Sequence, residues 1–87
     1  MTETNSVHDT LKKTRVLTDT LRDHKIVYLY YNDMKVGRME FVITKTPLQG
    51  EQYVLRSYNI TPEYSELFKG EESPLITITT YVKTLIV

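Results

Sequence analysis

The stretch Ile26-Val27-Tyr28-Leu29-Tyr30-Tyr31 is six apolar or aromatic residues with no polar break. β-Branched and aromatic side chains fit the pleated, half-buried surface of a strand. The charged Leu21-Arg22-Asp23-His24-Lys25 precedes it and reads as the end of a helix. Asn32-Asp33-Met34-Lys35 follows it as a polar, turn-like cluster, and a second strand-like run comes next. A helix feeding a strand with two apolar faces marks the start of a small sheet that is closed or well covered.

On the N-terminal side, the pattern predicts a helix over 6–23. Ser6 reads as its N-cap and Asp9 as a weak capping-box acid suited to the helix dipole. Val7, Leu11, Leu17 and Leu21 form an apolar stripe, with Thr10, Thr14 and Thr18 among them. Lys12, Arg15, Asp19, Arg22 and Asp23 lie opposite, and Val16 points away from the stripe. Threonine lowers intrinsic helicity, so this helix needs a sheet to hold it.

On the C-terminal side, strands are expected at about 25–31, 36–45 and 52–60. In the second, Gly37, Met39, Phe41 and Ile43 alternate with Arg38, Glu40 and Thr44. In the third, Tyr53 and Leu55 oppose Val54, Arg56 and Tyr58. Thr46-Pro47-Leu48-Gln49-Gly50 is the turn between them. Thr61-Pro62-Glu63 signals a short helix over 62–69, with Thr61 as N-cap and Gly70 placed to end it. From Leu75 to Val87 the chain reads as strand, with Ile76, Ile78, Thr80, Val82, Thr84 and Ile86 on one face. Strands usually run to about six residues, so a bend near Thr79-Thr80-Tyr81 is expected to divide this one in two. The fold class is α+β: an N-terminal amphipathic helix packed on an antiparallel sheet of 4–5 strands, built as an SH3-like or Sm-like barrel. An open sheet crossed by the helix is the alternative.

The segment from Leu21 to Asn59 resembles the WYL domain, an Sm-like barrel of bacterial transcription regulators. The likeness is carried by a helix followed by Val27-Tyr28-Leu29-Tyr30-Tyr31, by Arg38-Met39-Glu40-Phe41, and by Gly50-Glu51-Gln52-Tyr53-Val54-Leu55-Arg56-Ser57-Tyr58. It is similar also to Sm and Hfq proteins, where an Asn-containing turn and a glycine follow the first strand, as Asn32 and Gly37 do here. Gln52 stands where the WYL domain has its tryptophan. The resemblance implies a small barrel and a ligand- or nucleic-acid-sensing role, and no family functional residue is carried over.

The 87 residues make one domain, 6–87, behind a flexible polar tail, 1–5. With no cysteine, disulfides and thiolate metal sites are excluded. A core must come from the 40% hydrophobic content, including seven tyrosines and two phenylalanines. Lys+Arg and Asp+Glu balance at 11 each, which argues against a dedicated non-specific nucleic-acid binder. No run approaches the roughly 20 apolar residues of a membrane span, and Met1-Thr2-Glu3-Thr4-Asn5 carries no signal-peptide core. The expected location is the cytoplasm, that of the host if the chain is phage-encoded.

Catalytic signatures are missing. Ser6, Ser57, Ser65 and Ser73 have no nucleophile-elbow context, and three isolated glycines make no phosphate-binding loop. His8 and His24, at opposite ends of a helix, would lie about 24 Å apart. Glu63, Glu66, Glu71 and Glu72 read as a solvated acidic patch. No catalytic residue, cofactor or metal is expected.

Two binding readings remain. The first is a non-catalytic module docking a protein partner, as a small regulator or inhibitor of the sort phages and mobile elements carry. Its candidate interface is Tyr28, Tyr30, Val16, Leu85 and Val87, and a homodimer or higher oligomer through an apolar edge strand is included. The alternative binds nucleotides or single-stranded nucleic acid through Arg38, Lys45, Arg56 and Tyr58. Against that alternative, these basic groups read equally well as solvent-face residues paired across strands with Glu40 and Glu51.

Overall fold

A computed structural model of the chain describes residues 6–86, so the polar tail and Val87 lie outside the described residues. The elements are α1 (Ser6–Lys12), β1 (Thr14–Thr20), β2 (His24–Tyr31), β3 (Met34–Thr46), β4 (Gly50–Ile60), α2 (Pro62–Glu66) and α3 (Pro74–Ile86). The strands make one antiparallel sheet in the order β1-β2-β3-β4, each paired with its neighbour in sequence. Among the described residues β1 and β4 do not pair, so the sheet is open with two edges rather than closed into a barrel.

Both ends of the chain depart from the sequence reading, in opposite directions. The helix expected over 6–23 stops at Lys12, and Thr14–Thr20 is a strand. Four of its seven residues are β-branched, and Val16, which sat off the helical stripe, packs against the core once the period is two. The segment expected as strand over 75–87 is instead the main helix, α3. Ser73 caps it, its Oγ accepting from the Ile76 N–H at 3.4 Å, and Pro74 takes the first position. Ile78, Val82 and Ile86, four residues apart, are its buried stripe, while Ile76, 66% exposed, falls off it. Burial of that stripe overrides the weak helix propensity of its threonines and isoleucines. The short helix after Thr61 starts as expected, with the Tyr64 N–H donating to Thr61 Oγ1 at 3.3 Å, but ends at Glu66, short of 69.

Turn chemistry fixes the sheet register. Asn32 and Asp33 both hold positive φ, 52° and 64°, as the two central residues of a tight hairpin between Tyr31 and Met34. That geometry matches the right-handed twist of the flanking strands. At the β1–β2 turn, Leu21 donates its N–H to the His24 carbonyl at 2.9 Å and accepts from the His24 N–H at 3.4 Å. Two irregularities interrupt the ladders. Val36 is the extra residue between Leu29 and Tyr30 of β2, and Arg56 is the extra residue between Glu40 and Phe41 of β3.

All three helices contribute to one face of the sheet. Val27 and Leu29 of β2, with Met39 and Phe41 of β3, meet Tyr64, Phe68, Ile78, Val82 and Ile86 in the core. Each such large side chain contributes about 1.5–3 kcal/mol on burial. Val7 and Leu11 of α1 pack against the same cluster. Lys25 ties the layers together, donating to Tyr53 Oη at 3.1 Å and to the Ile86 carbonyl at the end of α3 at 3.2 Å.

Candidate functional site

The opposite face of the sheet is the candidate site. Side chains alternate across a strand, so the buried Val27 and Leu29 turn Ile26, Tyr28 and Tyr30 to the other side. The register sets Leu17 beside Tyr28 on β1, and Arg38 beside it on β3. Val42 and Val54 pair further along the same face. No described helix places its core residues here, and Leu17 is 57% exposed. Leu17, Tyr28, Tyr30 and Lys35 frame, with Thr18 and Asp19, a shallow depression of about 490 Å³. Lys35 Nζ stands 4.9 Å from the centre of the Tyr28 ring, within cation–π range.

Three of the charges on this face gather at Glu40. Glu40 receives Arg38 at 3.6 Å and Arg56 at 4.0 Å, and the Ser57 hydroxyl donates to it at 3.4 Å. Arg56 also reaches His24 Nε2 at 3.1 Å. The centre of the face is therefore a polar knot of two guanidiniums about one carboxylate, one positive charge in excess, with aromatic and aliphatic residues on both sides.

Of the residues singled out for protein binding, Tyr28 and Tyr30 stand together on the open face, half-buried by their strand neighbours. Val16 is on the covered face against the core. Leu85, 47% exposed, is on α3, away from the tyrosines in the helical layer. The structure thus separates these residues into different surfaces.

The residues singled out for nucleic acid are separated too. Arg38 and Arg56 share the open face and share Glu40. Lys45 lies at the far end of the β3–β4 hairpin, 3.7 Å from Glu51. Tyr58 is opposite Met39 and so belongs to the other face. The extra residue Arg56 shifts the alternation of β4, and a one-residue slip carries a side chain across the sheet. Arg56–Glu40 and Lys45–Glu51 bridge β3 and β4, whereas Arg38 and Glu40 are two apart on β3 itself.

Sequence reasoning missed Leu17, Ile26, Val42 and Val54 as members of this face. The signal was a period of two through Thr14–Thr20, obscured by the helical reading. His8 and His24 lie in α1 and at the start of β2, not on one helix. Among the described residues no three His, Cys, Asp or Glu side chains converge, and no helix is long and apolar enough to cross a membrane. No family model, curated protein or solved structure matches the chain.

Proposed function

We propose that the chain is a non-catalytic binding module that docks a protein partner on the open face of its sheet, acting as a regulator or inhibitor by occupying that partner. One observation carries this reading: Tyr28, Tyr30, Ile26, Leu17, Val42 and Val54 share a sheet face on which no described helix packs. Tyrosines supply large contact area with a polar tip, the chemistry enriched at the centres of protein interfaces. The Arg38–Glu40–Arg56 knot, one positive charge in excess, suits a partner that brings hydrogen-bond acceptors.

The test compares capture of a partner from the native host by the wild-type chain and by Tyr28→Arg, with Leu85→Arg as a control on α3. The captured protein is expected to be lost with Tyr28→Arg and kept with Leu85→Arg. Capture that survives Tyr28→Arg sinks the open-face reading. Titration with single-stranded oligonucleotides at low and raised salt addresses the Sm-like alternative. Salt-sensitive binding abolished by Arg38→Ala or Arg56→Ala would put nucleic acid in place of protein.

A further inference from the structure

The two edges of the sheet are unlike. β4 is interrupted by the extra residue Arg56, a bulge of the kind that discourages edge-to-edge pairing. β1, Thr-Arg-Val-Leu-Thr-Asp-Thr, pairs with β2 without a shift of register, and its two charges, Arg15 and Asp19, are of opposite sign. The reciprocal bonds between Leu21 and His24 set the phase of its ladder. Counting back by twos, Asp19, Leu17 and Arg15 bond to β2, so Val16 and Thr18 turn their N–H and C=O groups outward.

We propose that β1 pairs antiparallel with β1 of a second copy of this chain, about a two-fold axis at Leu17, making one eight-stranded sheet. In that register each residue meets the residue as far beyond Leu17 as it lies before it. Val16 and Thr18 exchange backbone hydrogen bonds with the mate's Thr18 and Val16. Arg15 faces the mate's Asp19, and Asp19 the mate's Arg15, at positions where ladder bonds are absent and side chains approach most closely. One two-fold thus makes two opposite-charge pairs and sets Leu17 against its own copy. Asp19 has no ion pair or hydrogen bond of its side chain among the described residues, and Arg15 reaches only the exposed Asp33, at 3.4 Å. Other registers do worse. A shift of the axis by one residue, to Val16 or Thr18, keeps the outward backbone groups in phase but sets Arg15 or Asp19 opposite the mate's Leu17 in place of an opposite charge.

The pairing uses only Arg15–Asp19, because Thr14 is buried and held by Tyr64. The two open faces then lie on the same side, and the paired Leu17 side chains join the Tyr28 and Tyr30 patches into one surface. The inference concerns the edge and stands apart from the docking reading of the face: a monomer could still lose its partner on Tyr28→Arg, and a dimer could keep it.

Sedimentation equilibrium of the wild-type chain, Arg15→Asp, Asp19→Arg and the double exchange tests it, with far-UV circular dichroism to check folding. A wild-type dimer is expected. Each single reversal sets like charges opposite at two places and weakens it by about tenfold or more, and the double exchange restores it. The chain has no cysteine, so Leu17→Cys introduces a single thiol. Across a pair without ladder bonds the Cα atoms are about 4.5 Å apart, within disulfide range. Leu17→Cys should cross-link on mild oxidation, and Thr20→Cys, whose mate would lie roughly 20 Å away, should not. A wild-type monomer up to millimolar concentration, a dimer indifferent to the single reversals, or equal cross-linking of both thiols would overturn the proposal.

Discussion

Tyr64 shows how one side chain can hold three elements. The Thr14 hydroxyl has one proton, and it goes to the Thr10 carbonyl at 2.7 Å. At 2.7 Å from Tyr64 Oη the same hydroxyl must therefore accept, so the phenol is the donor. The ring also meets Tyr31 at 5.8 Å and Phe68 at 5.1 Å between centroids. Burial pushes the phenol above its ordinary value of 10.0, outweighing the Thr14 hydroxyl, which can turn to donate to a phenolate, and Tyr81 and Tyr31 add to the push. A raised value favours the protonated form in the folded state. The contribution is thus whole below the unfolded value and lost as pH climbs from there through the folded value. Tyr64→Phe is expected to cost about 1 kcal/mol near neutrality, the worth of the bond to Thr14. Denaturant melts should show that gap narrowing above pH 10.0, where only the wild-type chain has this proton to lose. A gap that widens with alkaline pH would mean that the phenol is not protonated in the folded protein.

At the scale of elements, α3 offers the sharpest contrast between sequence pattern and structure. As a strand, Ile76 and Ile78 would share a face. As a helix, Ile78 is fully buried and Ile76 is largely exposed. Ile78→Ala is expected to cost about 2–5 kcal/mol and Ile76→Ala less than about 0.5 kcal/mol, measured by urea unfolding. Equal costs would restore the strand. The two hairpins from Lys25 to Ile60 were legible because local alternation and turn residues agree there: Met39, Phe41 and Ile43 against Arg38 and Glu40, with Asn32-Asp33 between strands. The flanks were not, because propensity and packing disagree. Thr14–Thr20 follows an apolar spacing compatible with a helix yet lies at a sheet edge. Leu75–Ile86 is rich in β-branched residues yet finds more burial as a helix, and the Ser73-Pro74 start signal was the cue to it. The site was half legible for the same reason. Tyr28 and Tyr30 could be placed on one face from their strand alone. The transfer of Tyr58 to the other face depends on the extra residue Arg56, which leaves no mark in a period-two pattern.

For the whole molecule, the order β1-β2-β3-β4 means that every pairing is between neighbours in the chain. Loop closure is then inexpensive, and the Asn32-Asp33 turn is the natural place for the sheet to begin. Asp33 sits at φ 64°, a conformation glycine adopts without the usual steric cost. Asp33→Gly should speed folding in stopped-flow experiments and leave unfolding nearly unchanged, if the turn is formed in the transition state. A change confined to unfolding would place the turn late. The helix that completes the core is encoded downstream of all four strands. During synthesis the nascent hairpins therefore present Val27, Leu29, Met39 and Phe41 to the surroundings before their cover exists. Until residues 74–86 leave the ribosome, the growing chain has two adhesive sheet faces instead of one. The passage from two to one is the step at which chaperones have the most to hold.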